Sequence, residues 1–273
     1  MQRTKVIAEI GINHNGDVNM AKKLMTVSAI AGCDYVKFQK REPDVCVPEH
    51  QKGQMRDTPW GKMTYLEYKK KLEFSQEDYE QIAEHASNVG VKWFASAWDI
   101  PSVDFCSRLT RIGKIPSALI NDLDLLSYAR KKFDLLLLST GMSTEEEVEK
   151  AIEVGRPDVV FHTNSTYPSP ISELNLRYIT WLMKKYPNIQ IGYSGHEYGL
   201  VTTFAAVSLG ASWIERHVTL DREMWGSDQK SSVEPTGLIK LVKGIRDIES
   251  AMGLESPRRL LESEKSKRES LRK

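Results

Sequence analysis

The chain has 273 residues, a formal net charge of +1, 40% apolar residues and three cysteines. A near-neutral chain has no strong attraction to nucleic acid or anionic membranes, and its longest apolar stretch, around residues 133–138, is far too short to cross a bilayer. The N-terminal residues enter a strand-like run at once, and Cys33, Cys46 and Cys106 form no CxxC pair, so we expect a cytoplasmic protein with reduced thiols.

Eight short β-rich runs recur along the chain, at residues 6–12, 34–39, 91–97, 113–118, 134–140, 158–164, 189–194 and 212–218. Helical patterns, with apolar residues three and four apart, lie between them at residues 20–31, 76–89, 144–154, 200–209 and 238–252. Ser75 is the expected N-cap of the second helix, and Ser143 with Glu146 is the expected capping box of the third.

The regular alternation of eight strands with helices predicts an α/β fold of the (β/α)₈ TIM-barrel type. An open doubly wound sheet is the alternative. It is disfavoured because no GxGxxG motif follows an early strand and no Walker A loop occurs.

We expect the barrel to occupy residues 1–255 and a charged, solvated tail to occupy residues 256–273. The connection at residues 40–75 is unusually long for a barrel. It contains Trp60 and Tyr65, which argue against plain disorder. Because it leaves the carboxyl end of a strand, we favour a substrate-covering loop over a structural excursion.

Polar or ionisable side chains stand at the carboxyl ends of all eight predicted strands, where a barrel forms one pocket. They are Glu9, Asn13, His14, Lys37, Gln39, Ser96, Asp99, Lys114, Ser117, Ser139, Thr140, Asn164, Ser165, Ser194, His196, Glu215 and His217. Any one of them alone would be an ordinary surface charge or a hydrogen-bonded core residue. A complete ring favours a functional pocket.

The ring contains two chemical groups. Lysines and serines together supply the charge and short donors that a phosphate requires, and they are Lys37, Lys114, Ser96, Ser117, Ser139, Ser165 and Ser194. His196 and His217 end the last two strands, which are neighbours in a barrel, so the two imidazoles can meet at one metal. A loop hydrogen bond is the alternative for His196. His14 and His162 are weaker metal candidates.

Several motifs carry a resemblance to a known family. The segments IAEIGINHNGD, VKFQK, KIPS, LSTGMST, TYPSP, GYSGH and IERHVTLDR occur in this order over about residues 5–265. In these motifs, and in their spacing, the chain resembles the sialic acid synthase family. The resemblance implies a (β/α)₈ barrel that condenses phosphoenolpyruvate with an amino-sugar aldehyde, forms a nonulosonic acid and releases phosphate.

The resemblance also implies roles for single residues. His196 and His217 match the ligands of a divalent metal, manganese or magnesium, and Glu9 matches a carboxylate near the reacting carbons. Tyr167 and Asp228 match positions that face the sugar. Phosphoenolpyruvate would be bound by Lys37, Ser96, Lys114, Ser117, Ser139, Ser165 and Ser194. Glu9, His196 and His217 are thus the expected catalytic residues.

Two departures from the family pattern concern the sugar. Leu119 stands where many members have a carboxylate that contacts the sugar, and the chain ends about where a small C-terminal antifreeze-like module would begin. The phosphoenolpyruvate and metal positions are intact. The sequence therefore predicts the reaction type and leaves the sugar open.

We predict a phosphoenolpyruvate-dependent transferase that forms a carbon–carbon bond and whose partners are small-molecule substrates and copies of itself in a homo-oligomer. The alternative is a 3-deoxy-aldulosonate synthase that uses a plain aldose or a phosphosugar. A phosphosugar would require a second basic cluster, and the sequence contains no clear one. A barrel retained only for binding is a further alternative, which the pair of histidines and the pair of lysines oppose.

Overall fold

The computed structural model describes residues 3–272. Ten strands form within them: β1 (Lys5–Gly11), β2 (Tyr35–Lys40), β3 (Met55–Thr58), β4 (Gly61–Thr64), β5 (Lys92–Ala97), β6 (Ile112–Ile115), β7 (Leu135–Ser139), β8 (Val159–Thr163), β9 (Gln190–Gly195) and β10 (Trp213–His217). The eight strands predicted from the sequence are all present. Pro116 ends β6 earlier than expected, so Ser117 lies on a following 3₁₀ turn.

Eight of these strands close into a parallel barrel, in the order β1-β10-β9-β8-β7-β6-β5-β2. Strand β1 pairs with β2 on one side and with β10 on the other. The first and last strands of the chain are therefore neighbours, and the barrel is closed. This topology confirms the predicted (β/α)₈ TIM barrel. The remaining strands, β3 and β4, form a separate antiparallel hairpin.

The helices of the described residues are α1 (Val18–Ala31), α2 (Pro43–Cys46), α3 (Glu49–Lys52), α4 (Tyr65–Leu72), α5 (Gln76–Val89), α6 (Ile100–Leu109), α7 (Leu123–Lys132), α8 (Glu145–Gly155), α9 (Arg177–Lys185), α10 (Val201–Ser208), α11 (Pro235–Ala251) and α12 (Lys265–Leu271). The five predicted helices correspond to α1, α5, α8, α10 and α11. Between residues 3 and 272, no helix has the length and apolar character needed to cross a membrane.

Two capping boxes show how local sequence sets the helix starts. Ser75 caps α5 as predicted, with its hydroxyl accepting from the amide of Asp78. The predicted cap of α8 is wrong by one residue, because the capping box is formed by Thr144 and Glu147. The hydroxyl of Ser143 instead donates to the Gly141 carbonyl at 3.0 Å, so it belongs to the preceding turn.

The barrel interior changes from apolar to polar along each strand. Its lower layer is an apolar plug formed by Ile7, Tyr35, Phe94, Leu137, Val159, Phe161 and Trp213. Successive side chains of a strand point to opposite faces, so the next inward residue comes two positions later. Those next residues include Glu9, Lys37, Ser96, Ser139 and Glu215, all buried. The fold thus places a polar layer directly above an apolar layer.

The long segment at residues 40–75 is folded rather than irregular. It comprises α2, α3, the β3–β4 hairpin and α4. Its aromatic side chains pack on the loop after β10, with ring centroids 5.7 Å apart for Trp60 and Trp225 and 5.3 Å apart for Tyr68 and Trp225. After α11 the chain continues through a stretch without helix or strand and a 3₁₀ turn (Glu262–Glu264) to α12, and the division into a barrel and a tail at residue 255 stays a prediction.

Candidate active site

Polar side chains at the carboxyl ends of the barrel strands line a cavity of about 220 Å³. Eleven of the twelve predicted site residues line it, namely Glu9, Lys37, Ser96, Lys114, Ser117, Ser139, Ser165, Tyr167, Ser194, His196 and His217. The twelfth, Asp228, has its Oδ2 atom 3.8 Å from Nδ1 of His217, beside the cavity. The fold therefore brings the predicted set together, while the role of each residue stays a prediction.

A buried chain of alternating charges forms the floor of the cavity. The ammonium of Lys114 donates to both carboxylate oxygens of Glu215, each at 2.8 Å. Lys37 lies between two carboxylates, with Nζ 2.9 Å from Oε2 of Glu9 and 3.6 Å from Oε1 of Glu215, and it also donates to Ser96 at 2.8 Å. The two lysines and two glutamates are formally neutral together, so the floor has no net positive charge.

Burial and neighbouring charges separate the pKa values of the two carboxyl groups. Burial raises the pKa of Glu9, and Lys37 offsets the shift only in part. Burial opposes the charge on Glu215 as well, but the ammonium groups of Lys114 and Lys37 outweigh it and lower its pKa to about 2. Glu215 thus keeps its charge more firmly, and Glu9 has the higher pKa of the two carboxyl groups.

Burial and neighbouring charges also separate the pKa values of the two lysines. Burial disfavours the charge on Lys37, but its position between Glu215 and Glu9 raises its pKa above the ordinary value. Lys114 has one carboxylate partner and a like charge nearby, and burial lowers its pKa to about 8. Lys114 is therefore the cation of the floor that releases its proton more readily.

Sequence reasoning gave no role to two residues of this floor. The sequence marks Glu215 only as a strand-end residue, whereas in the structure it contacts both lysines. Gln39 lines the cavity and donates to Oε1 of Glu9 at 3.1 Å. The sequence signal that identifies Glu215 is the alternation of side chains along a strand. Trp213, Glu215 and His217 occupy alternate positions of β10, so all three point into the barrel.

Two imidazoles face each other on one side of the cavity, with ring centroids 5.3 Å apart. Nδ1 of His196 lies 2.6 Å from the Asn164 carbonyl, and a ring N–H that donates there leaves Nε2 with a lone pair. Burial lowers the pKa of His196 to about 3, so its ring is neutral at pH 7. Nδ1 of His217 is buried and has no hydrogen-bond partner within the described residues.

These two imidazoles are the candidate metal ligands of the cavity. Within residues 3–272, no three His, Cys, Asp or Glu side chains are grouped so as to hold a metal ion. Positions that the two imidazoles leave open on a cation would be available to water or substrate. Tyr167 lies over the pair, with its ring centroid 4.1 Å from that of His196, and it is 48% exposed at the cavity mouth.

Three of the serine hydroxyls are held by hydrogen bonds to neighbouring groups. Ser96 accepts from Lys37, and Ser194 donates to Glu215 at 3.2 Å. Ser117 accepts from the amide of Gly141 at 2.9 Å. A Cβ atom at Gly141 would lie 2.1 Å from Oγ of Ser165, so this close approach requires glycine. The positions of Ser117 and Ser165 thus depend on the glycine of the LSTGMST motif.

The weaker histidine candidates lie outside the cavity. His14 is buried against Phe74 with ring centroids 4.0 Å apart, and its Nδ1 accepts from the amide of Gly16. His162 is buried with Nε2 2.6 Å from the Leu174 carbonyl. Both are core residues with partners of their own.

A parallel barrel whose strand ends carry an ion-paired floor and two facing imidazoles belongs to the class of α/β-barrel enzymes that act at the carboxyl face of the sheet. Residues 24–256 match the NeuB family, and the chain belongs to that family. This membership confirms the resemblance drawn from the motifs.

Two curated relatives and one solved structure illustrate the similarity. The chain is 37% identical to the N,N'-diacetyllegionaminic acid synthase of Campylobacter jejuni, over 93% of this chain and 78% of the relative. It is 36% identical to the N-acetylneuraminate-9-phosphate synthase of Homo sapiens, over 91% of this chain and 71% of the relative. The N-acetylneuraminic acid synthetase of Leptospira borgpetersenii, solved with citrate, superposes with a TM-score of 0.87 at 29% identity, over 99% of this chain and 93% of the other.

Proposed function

We propose that this protein is a synthase that condenses phosphoenolpyruvate with an amino-sugar aldehyde, forming a nonulosonic acid and inorganic phosphate. The observation that carries the proposal is the cavity in which two lysines, two carboxylates and two imidazoles converge at the carboxyl end of the barrel. The NeuB-family relatives, which are synthases of N,N'-diacetyllegionaminic acid and of N-acetylneuraminate 9-phosphate, support it.

Phosphoenolpyruvate binds at the floor in this proposal. Lys114 uses two of its three N–H donors on Glu215 and keeps one for the ligand. The hydroxyl of Ser96 accepts from Lys37, so its own hydrogen is free to donate to a phosphate or carboxylate oxygen. Charge-assisted bonds of this kind are short and strong, so they would hold the ligand at the floor.

A divalent cation, Mn²⁺ or Mg²⁺, fits the two imidazoles. The unpartnered Nδ1 of His217 and the free Nε2 of His196 are the lone pairs that would hold it. When bound, such a cation supplies Lewis-acid polarisation of an aldehyde oxygen. The Asn164 carbonyl fixes the ring of His196, as partners of metal-binding histidines generally do.

The reaction balances with the groups of this cavity. C3 of phosphoenolpyruvate attacks the aldehyde carbon, which forms the new carbon–carbon bond, and the aldehyde oxygen gains the proton that water gives up when it adds at C2. Positive character develops at C2, and the carboxylate of Glu9 stabilises it or positions the water that adds there. The C2–O bond to phosphate then breaks, so that a 2-keto acid and inorganic phosphate are released. Glu9 is suited to this role because its raised pKa lets it exchange a proton.

The acceptor sugar approaches from the cavity mouth. Tyr167 lies over His196 and Asp228 lies beside His217, and both would face the sugar in this proposal. The named relatives differ in whether the product carries a phosphate, so family membership leaves the far end of the acceptor open.

Phosphate release from phosphoenolpyruvate tests the proposal, with a panel of aldoses with and without N-acetyl groups in the presence of Mn²⁺. Release with an N-acetylated aldose, together with a product whose mass is that of the aldose plus pyruvic acid, is the expected result. Release with plain aldoses alone would favour a 3-deoxy-aldulosonate synthase, and no release with any aldose would favour a non-catalytic barrel.

The expected cellular compartment and the expected oligomeric state both stay predictions. Cys33 and Cys106 are buried free thiols whose pKa values burial raises to about 12, which suits the expected reducing cytoplasm. Light scattering on the purified protein tests the expected homo-oligomer.

A further inference from the structure

The backbone pairing between β9 and β10 ends just before the two imidazoles of the candidate active site. The last paired positions are Gly195 and Arg216, so His196 and His217 each follow the ladder by one residue. His217 is held on its other side, because it pairs in register with Glu9 of β1. His196 lies beyond the end of β9 and has no position in the ladder with β8 or with β10. Regular strand pairing therefore does not fix His196 relative to His217.

The side chain of Arg216 connects the two segments beyond the end of this ladder. It is buried on the outer face of β10, opposite the face from which His217 enters the cavity. Its guanidinium donates to the Glu197 carbonyl at 2.6 Å and to the Gly199 carbonyl at 3.0 Å, both in the segment that follows His196. The residue before one histidine thus holds the backbone that follows the other.

The buried carboxylate of Glu197 completes the connection. Its Oε1 lies 3.2 Å from Nη1 of Arg216 and accepts from the Thr202 hydroxyl at 2.6 Å. Its Oε2 accepts from the hydroxyl of Tyr193, on β9, at 2.9 Å. A Cβ atom at Gly195 would lie 2.6 Å from this oxygen, so the close approach of the carboxylate requires glycine. The residues that flank the two histidines in the GYSGH and IERHVTLDR motifs are therefore in contact with one another.

Stability alone does not explain an ion pair at this place. Ile214, the other outward residue of β10, belongs to the apolar core between strands and helices, as do Ala206 and Val207 of α10. An ion pair buried in such a layer often adds no net stability, because the desolvation of two charges offsets their attraction. Nε of Arg216 also has no hydrogen-bond partner within the described residues, which adds to the penalty. The network is better explained by what it holds in place.

We propose that Arg216 and Glu197 are positioning residues that hold His196 at the spacing from His217 at which both rings contact one divalent cation. The inference rests on the proposed function, which assigns the cation to these imidazoles. Neither residue lines the active-site cavity, so both act through the segment after His196 and not by touching substrate. Without Arg216, His196 would keep its bond to the Asn164 carbonyl and would follow the β8 side of the barrel rather than β10.

Binding of Mn²⁺ to the full-length protein without any substrate tests the inference. The electron paramagnetic resonance signal of free Mn²⁺ measures it, at a temperature where calorimetry shows each variant to be folded. Arg216→Met removes the guanidinium and should weaken Mn²⁺ binding by at least about 10-fold, as the loss of residues that orient metal-binding histidines generally does. Arg216→Lys keeps the charge beside Glu197 and should recover part of the affinity.

Arg130→Met is the matched control. Arg130 also donates to a carboxylate, that of Asp158 at 2.7 Å, and to two loop carbonyls, those of Phe133 and Asp134. It does so at the amino ends of β7 and β8, at the opposite end of the barrel from the histidines. Arg130→Met should therefore lower the midpoint of thermal unfolding, as Arg216→Met does, and leave the affinity for Mn²⁺ unchanged.

A milder variant decides the matter if Arg216→Met does not fold. Thr203→Val removes one acceptor of the guanidinium, at 2.8 Å, and keeps the ion pair with Glu197, so Mn²⁺ binding should weaken by about 2- to 10-fold. Unchanged affinity in the folded variants would overturn the inference and leave the proposed function standing. An equal loss in Arg130→Met would also overturn it, because any loosening of the barrel would then suffice. If the wild type bound no Mn²⁺, the assignment of the cation would fail with it, and phosphate release would still test the condensation separately.

Discussion

The carboxylate of Glu215 contacts both lysines at the floor of the candidate active site. Lys37 and Lys114 were identifiable from the sequence because strand-end lysines in a barrel are conspicuous, and so were the serines and histidines around them. Glu215 was not, since the sequence does not reveal which of several strand-end carboxylates a lysine will pair with. At this scale the sequence supplies the inventory of charges, and the closed barrel, which brings Glu215 of β10 to Lys37 of β2 and Lys114 of β6, decides the pairing.

Glu215→Gln should lower the free energy of unfolding by about 3–5 kcal/mol, because it leaves Lys114 buried without its carboxylate partner. The matched control is Ser194→Ala, which removes a hydroxyl hydrogen bond to the same carboxylate and should cost only about 0.5–1.5 kcal/mol. Urea unfolding of both variants measures the difference. Similar losses would contradict the charge-pair account.

The affinity for phosphoenolpyruvate should fall as pH rises through about 8, the pKa of Lys114. Above that pH the free protein loses the ammonium that binds the ligand, so a single titration predicts about 10-fold weaker binding at pH 9 than at pH 7.

The stability of the protein without ligand should change with pH in the opposite direction. Between about pH 8 and the ordinary lysine range, the unfolded chain binds more protons than the folded one, so stability rises with pH.

Calorimetric titrations at pH 7, 8 and 9 measure the trend in affinity. Lys114→Met removes the titrating group, so its weaker binding should be flat over the same range. A wild-type affinity that does not change between pH 7 and pH 9 would show that Lys114 does not bind the ligand as an ammonium.

At the scale of single elements, periodicity and capping explain which predictions succeed. The barrel strands were recognisable because long apolar runs ended in polar residues, and α5 because its cap and apolar stripe agree. The elements within residues 40–75 were not predicted, because α2, α3, β3 and β4 have only four residues each and carry no readable period. Tertiary contacts such as the Trp60–Trp225 pair hold them in place.

Thr144→Ala should destabilise the protein by about 1 kcal/mol, because it removes the N-cap of α8. Ser87→Ala, an exposed serine inside α5, is the matched control and should change the free energy of unfolding by less than about 0.5 kcal/mol. The difference corresponds to about 2–4 °C in the midpoint of thermal unfolding. If Thr144→Ala left the free energy of unfolding unchanged, the N-cap of α8 would have to be another residue.

For the whole molecule, the candidate site exists only when the barrel is closed. Glu9 of β1 is paired in register with His217 of β10 and with Lys37 of β2, so residues from opposite ends of the strand series meet at one point. The unfolded chain has no equivalent of this cavity. Ligands that bind there must therefore stabilise the closed barrel by linkage.

The neutral floor makes this linkage depend on a divalent cation. Phosphoenolpyruvate is a multiply charged anion, and the two lysines are already balanced by Glu9 and Glu215. With Mn²⁺ present, phosphoenolpyruvate at about 100 times its Kd should stabilise the protein by about 2.7 kcal/mol. At about 2–4 °C per kcal/mol, the unfolding midpoint should rise by about 5–10 °C.

Differential scanning calorimetry measures that rise, with and without Mn²⁺ at one fixed concentration of phosphoenolpyruvate. The rise should be much smaller without the cation, and also in His217→Ala, which lacks one of the two imidazoles beside the floor. His50→Ala removes an exposed histidine of α3 and should keep the full effect. If the cation and His217 made no difference to the rise, the floor alone would suffice to bind the anion, and the histidine pair would need another role.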